Sequence, residues 1–522
     1  MKYSKLFNRF QTPQTQPIPL SNQVRNSAGG FVWALDRWSV LDRFLILGSE
    51  SGTYYAKPQQ LTLDNVKNVL ALIDEHGVKV VERICEISLS GRAPKNDAAI
   101  FALALCASLG NDLTRTAALN ALPTVCRTGT HLFQFAEVCD GMRGWGRGLR
   151  RAIGGWYNTK SVEDLEYQAI KYKQREGWSH RDLLRLAHPV PASDSHKALF
   201  KWIVDGEQIE PLARVEAMIR LQKATTAQEA TDLIRESRLP REAVPTEWLN
   251  EATVWEALLE QMPMTAMIRN LATMTRVGLL APGSMATRRV VHELQDVNRI
   301  RKARVHPMSL LLAQRTYASG TGQKGSWVWT PVPEVIDALD AAFYTAFDNV
   351  EPTGKRFLLG VDVSGSMSCG MFGSQLSACE VASAMAMITV ATEEVVTPMA
   401  FSSQFRRLPL SKRMRLDDVL KLTQDQNFGS TDCALPILHA LKERVPIDVF
   451  VVYTDNETWF GKIHPAQALA KYRNAMGIEA KLIVVGIAAT NFTIADPNDR
   501  GMLDVVGFDT SVPTVMTEFV KT

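Results

Sequence analysis

Asp362, Ser364 and Ser366 alternate in DVSGSM (362–367), directly after the apolar run RFLLGVDV (356–363). In extended chain, residues two apart face the same side, so one carboxylate and two hydroxyls leave this strand toward one point. A second carboxylate, Asp455, follows another apolar run, DVFVVYT (448–454), and Thr431 closes the loop FGST ahead of a helical pattern. All five are hard oxygen donors. Two carboxylates and three hydroxyls, completed by water, suit an octahedral Mg²⁺, with Mn²⁺ or Ca²⁺ as the other ions of this preference. The set lacks the His and Cys that zinc or copper favours. Singly, these residue types also serve as caps and turn formers. Their recurrence after successive strands is what points to a metal.

Catalytic alternatives find less support. No GxSxG elbow surrounds a serine, and His439 and His464 have no triad context. Gly354-Lys355 is followed by Arg356, so a P-loop is absent. Gly320, Gly322 and Gly325 spell GxGxxG, but a helical pattern precedes them and Trp327, Trp329, Pro331 and Pro333 follow, which is not the strand–turn–helix a dinucleotide needs. A metal that binds is favoured over one that catalyses, and the chain is expected not to be an enzyme. A metal-dependent hydrolase rests only on the two carboxylates.

The elements needed to position the five donors are legible. After Arg356, strand-like runs at 356–363, 395–401, 448–454 and 480–487 alternate with helical patterns at 374–392, 415–424, 433–444 and 464–476, which predicts a mostly parallel, doubly wound α/β domain. Ligands of such sheets sit beyond the carboxyl ends of the strands, where the donors lie. Upstream, from about 64 to 318, apolar residues recur at spacings of three and four, as in 63–77, 96–110 and 246–262. Many short amphipathic helices predict an α-solenoid of stacked pairs, with an irregular helical array as the alternative. Residues 1–27, with three prolines and four glutamines, read as an extended arm, and 320–355 as a linker.

The 522 residues are 46% hydrophobic and 22% charged, the usage of an ordinary folded protein of two or more domains. Seven cysteines form no CxxC pair, and no segment has the length and apolarity of a leader or a membrane span, so a cytoplasmic protein is expected. The net charge of +3 conceals an uneven distribution. From Arg356 onward there are 15 Lys+Arg against 18 Asp+Glu, whereas residues 141–190 hold ten against five and 287–305 six against two. Such clusters suit a polyanion, and a solvated helix face satisfies the same arithmetic. Lys171 and Arg175, four apart, are read as one helical face, with His180 and His188 as stacking or hydrogen-bonding groups nearby. Arg143, Arg147, Arg150 and Arg151 fall at helical spacing, Trp145 among them is a candidate for base stacking, and Arg127 and His131 are rim or cavity candidates. So are Arg299, Arg301, Lys302 and Arg304.

Several strings together resemble one family. DVSGSM, the Thr431 loop and Asp455 resemble the metal-ion-dependent adhesion site (MIDAS) of von Willebrand factor A domains, where a partner's carboxylate completes the metal shell. GSESGTYYAK (48–57), CRTGTHLFQF (126–135), KYKQREGWSHRDLLRLAHP (171–189), PMTAMIRNLATMT (263–275), EPTGKRFLLGVDVSGSM (351–367), TDNETW (454–459) and FTIADPNDRGML (492–503) resemble the Ro autoantigen family, whose helical part is the TROVE module. The resemblance implies an arm (1–27), HEAT-like helical repeats (28–350) and an A-type domain (351–522) that closes a single-chain ring. It implies a ribonucleoprotein of RNA quality control that holds small noncoding Y RNAs on its outside and single-stranded 3′ ends of misfolded RNAs in its hole, with a 3′ to 5′ exoribonuclease as a partner through Y RNA. Lys171, Arg175 and His188 match the family's Y RNA positions. A protein scaffold, whose metal captures an acidic partner residue, is the alternative.

Overall fold

The computed structural model describes residues 11–48, 58–93, 95–322, 327–347, 351–368, 376–424, 430–488, 490–507 and 512–521. The string 49–57 lies outside the described residues, as does Gly325 of the GxGxxG match.

Residues 11–34 hold two short strands, β1 (Gln23–Arg25) and β2 (Phe31–Ala34), paired antiparallel. From Arg37–Leu47 to Pro333–Thr345 the chain is almost wholly helical. Several helices begin where a short polar side chain takes up orphan N–H groups: Asn111 accepts from Thr114, Thr128 from His131 and Ser161 from Asp164. Each packs mainly on helices one to three places along the chain, as in a stacked array. Among the described residues the array is interrupted by a hairpin of β3 (Gln174–Arg175) and β4 (Trp178–Ser179). The periodic segment 63–77 falls inside the helix Pro58–Ser90, which is kinked at His76, and 96–110 covers the helix Asp97–Leu109 with its two caps.

The last third is a six-stranded sheet made of β5 (Arg356–Asp362), β6 (Val395–Phe401), β7 (Phe405–Arg407), β8 (Val449–Thr454), β9 (Lys481–Gly486) and β11 (Met502–Val506). Its order is β11-β9-β8-β5-β6-β7, parallel except for β7. The two-residue β10 (Phe492–Thr493) pairs instead with β2 of the N-terminal segment. All four expected strands are present within a residue or so of their expected ends; β7, β10 and β11 lack a comparable apolar run. β8 is buried along its whole length, consistent with helices on both faces.

The N-terminal arm is part of this second unit's packing. Gln14 is fully buried, and its Nε2 donates to Asp432 Oδ1 at 2.8 Å and to the Ile463 carbonyl at 2.9 Å. At Gly461 a Cβ would run into Gln14 and Asp432, so glycine permits the close approach. The boundary read at residue 27 falls between the two paired strands, which share one environment. Further contacts between the units lie toward both ends of the helical array: Arg43 reaches Asp504, and Arg315 reaches Glu380.

Candidate metal centre and nucleic-acid interface

β5 and β8 are adjacent parallel strands, so their carboxyl ends lie side by side. Asp362 ends β5, and the turn after it folds back so that Ser364 N–H donates to Asp362 Oδ1 at 2.9 Å. Thr454, ending β8, donates from Oγ1 to Asp362 Oδ2 at 2.7 Å. Ser364 and Ser366 hydroxyls are 3.0 Å apart. Asp455 Oδ1 accepts from Glu457 N–H at 3.0 Å, whereas Oδ2 is buried without a hydrogen-bond partner. The Thr431 carbonyl accepts from Trp459 and Phe460 N–H at 3.1 and 3.0 Å, tying its loop to the segment after β8. All five expected donors are buried at this one edge.

Electrostatics at this edge are unbalanced. Burial, with the charge of Asp455 added, pushes the Asp362 carboxyl up, and burial pushes Asp455 up as well. Among the described residues no Lys or Arg pairs with either. An unpartnered carboxylate oxygen among hydroxyls, with no countercharge, fits a hard divalent cation. Among the described residues no three His, Cys, Asp or Glu side chains converge as a cage, so the hydroxyls are needed as ligands. A third carboxylate, Glu457, was not singled out by the strand-end pattern. Its Oε2 accepts from Ala28 N–H at 3.0 Å, its Oε1 is buried without a partner, and burial and Asp455 push its pKa up. The TDNE string was the only signal for it.

The basic candidates separate into distinct groups. Arg147, Arg150 and Arg151 are exposed on the helix Arg147–Asn158, free of ion pairs among the described residues. Arg143 donates to the Ser108 carbonyl at 3.0 Å. Lys171 and Arg175 do not share a helical face, which corrects the expectation: the helix Val162–Lys171 ends there, and Arg175 lies in β3, because Gly177 and Glu176 at positive φ turn the chain into a hairpin. Lys171 is half-buried over the Tyr167 and Tyr172 rings, and Arg175 is exposed and paired with Glu176 at 2.9 Å. His188 is exposed at a left-handed helix C-cap, φ 43°.

His180 is a core residue rather than an RNA contact, a second correction. It is 4% exposed, Nδ1 is 2.8 Å from the Tyr157 hydroxyl, and its ring meets Phe133 edge-on. Burial pushes its pKa down to about 4. Trp145 packs on Trp178, ring centroids 5.5 Å apart, with Nε1 buried, which leaves it poorly presented for a base. Arg127 is half-buried and donates to the Ser88 carbonyl and hydroxyl at 3.3 and 3.0 Å; burial and then Arg304 lower its pKa. The neighbouring His131 is held neutral, its pKa pushed down to about 4 by burial and Arg127. In the second basic run Arg299, Arg301, Lys302 and Arg304 are all exposed, and Arg299 pairs with Glu293.

A helical array joined at both ends to an A-type α/β domain with a hydroxyl–carboxylate edge defines the class of protein. The TROVE domain family matches residues 24–316, and the Ro60 vWA domain matches 356–520. The chain belongs to the Ro60 family. It is 43% identical to the RNA-binding protein RO60 of Deinococcus radiodurans over 525 residues, covering 99% of this chain and 98% of the relative. It is 39% identical to the RNA-binding protein RO60 of Caenorhabditis elegans over 592 residues, covering 98% and 92% respectively. The crystal structure of the Deinococcus radiodurans RO (RSR) protein is similar with a TM-score of 0.71, covering 93% of this chain and 99% of that one. No helix among the described residues is long and apolar enough to cross a membrane.

Proposed function

We propose that this chain is a non-catalytic RNA-binding protein of RNA quality control, which carries small noncoding Y RNAs on its helical surface and receives single-stranded 3′ ends of misfolded RNAs. The observation that carries the reading is near full-length kinship with two proteins named RNA-binding protein RO60. Exposed Arg147, Arg150 and Arg151, without neutralising carboxylates among the described residues, supply what a phosphate backbone requires. The contacts at both ends of the array support a single-chain ring, and a cytoplasmic setting with an exoribonuclease partner through Y RNA completes the reading. Asp362, Ser364, Ser366, Thr431 and Asp455 would hold Mg²⁺, or Mn²⁺ or Ca²⁺, whose chemistry here is to offer a coordination position to a carboxylate ligand.

The test is equilibrium binding of a hairpin RNA with a single-stranded 3′ tail across a salt series. Affinity should fall steeply between about 50 and 200 mM salt. Lys171→Ala/Arg175→Ala should bind more weakly with a shallower slope. A salt-independent constant contradicts the reading, and equal binding by this variant moves the site to another basic group. The unpartnered Asp455 oxygen also favours a second reading, a scaffold whose metal captures an acidic partner residue. Gently purified protein free of nucleic acid that binds no RNA would favour it.

A further inference from the structure

A cavity of about 590 Å³ opens between the helix Val162–Lys171, the turn after the helix Ala227–Ser237 and the helix Met264–Arg276. Its wall carries five cations, Lys171, Arg214, Arg238, Arg241 and Arg269, against one carboxylate, Glu242. Among the described residues none of the five makes an ion pair. Three are held by other means, among them Arg241, whose guanidinium lies 5.9 Å from the Trp255 ring centroid. Lys171 Nζ lies 5.1 Å from the Tyr167 ring centroid and donates to its hydroxyl at 3.1 Å. The Arg214 guanidinium lies 5.8 Å from the same ring, and its Nε donates to the Ser237 carbonyl at 3.2 Å. Aromatic and carbonyl neighbours therefore position positive charge without neutralising it, an arrangement suited to an anionic guest.

The rest of the lining suits more than a bare anion. Leu239, Met262 and Ala266 give the cavity an apolar surface. Gln261 and Asn270 also line it, and each donates its amide N–H to a main-chain carbonyl, of Ile234 and Ala266, both at 2.8 Å. Their amide oxygens remain as acceptors, the partners that exocyclic amino groups of bases require. The volume falls within the roughly 300–1,000 Å³ of small-molecule sites.

We propose that this cavity takes one nucleotide of a bound RNA, its phosphate among the arginines and its base against the apolar and amide-lined wall. The inference rests on the RNA-binding reading above and extends it from Lys171 to four arginines that the reading does not use. Discrete capture of a nucleotide makes the protein sensitive to unpaired RNA, because a base within a duplex cannot enter.

The probe is the tailed hairpin RNA carrying 4-thiouridine in its single-stranded part, with adenosine monophosphate titrated separately. Arg238→Gln/Arg269→Gln removes two exposed cations, and Asn270→Asp adds a negative charge while leaving the arginines in place, so a folding defect in one variant does not account for a loss shared by both. The expected result is about tenfold weaker RNA binding by either variant and, for the arginine pair, a log–log salt slope shallower by about one. Photocross-links should fall in 167–172 or 261–270 of the wild type. Tight wild-type RNA binding that both folded variants retain, with cross-links elsewhere, overturns the cavity and leaves the RNA reading intact. No RNA binding by the wild type overturns the RNA source; adenosine monophosphate binding that the variants lose then assigns the cavity to a free nucleotide, and its absence overturns the site altogether.

Discussion

Asp455 and Asp362 test the metal centre most directly, because one buried Asp455 oxygen has no partner and the Asp362 carboxylate already holds the Ser364 amide and the Thr454 hydroxyl. Asp362→Ala should abolish Mn²⁺ or Mg²⁺ binding in a calorimetric titration and leave affinity for tailed RNA unchanged. An unaltered metal isotherm would refute the assignment. His180 supplies a pH prediction. Its folded pKa is pushed down to about 4 from an ordinary 6.5. Between those values the unfolded chain binds the proton and the folded one does not, so stability is complete above about pH 6.5 and is lost as pH falls toward 4. The full loss from this one group is about 3 kcal/mol. Melting temperature should decline over that window, and His180→Gln should flatten the decline; a parallel pH profile in the variant would show that the proton is taken up elsewhere.

At the scale of elements, the helix Arg147–Asn158 presents Arg147, Arg150 and Arg151 from its first turns, where they add like charge to the positive end of the helix dipole. That placement is unfavourable for the helix and favourable for a phosphate. Replacing all three by Gln should weaken RNA binding and make the salt slope shallower by about one for each phosphate left without its arginine, with melting temperature maintained or raised. A marked fall in melting temperature would instead give these arginines a structural role. The hairpin of β3 and β4 separates Lys171 from Arg175 by changing the element between them. Four-residue spacing implies a shared face only while the helix continues. Here Glu176 and Gly177 at positive φ end that condition.

Across the whole molecule, long-range polar interactions fasten the helical array to the sheet domain. Arg43 is 1% exposed, donates to both oxygens of Asp504 at 2.7 and 2.8 Å, and reaches the Ala488 carbonyl at 3.2 Å. Gly486 makes room for it, since a Cβ there would meet the guanidinium at 2.6 Å. Arg43→Met leaves Asp504 without its cation and should cost about 3–5 kcal/mol in denaturant unfolding, the range for breaking a buried pair. Stability equal to wild type would mean that Asp504 is solvated well enough to stand alone. The alternating donors after β5, the Asp after β8 and the helical periodicity upstream were legible from the amino acids because strand and helix periods and the rule for parallel sheets are local or topological. That Gln14 is a buried link, that His180 is core, that Glu457 is a further buried carboxylate beside Asp455 and that five cations from four segments line one cavity were decided only by tertiary structure. For Gln14 and His180 the partners lie tens to hundreds of residues apart, and burial, which sets both charge and accessibility, has no period in the chain.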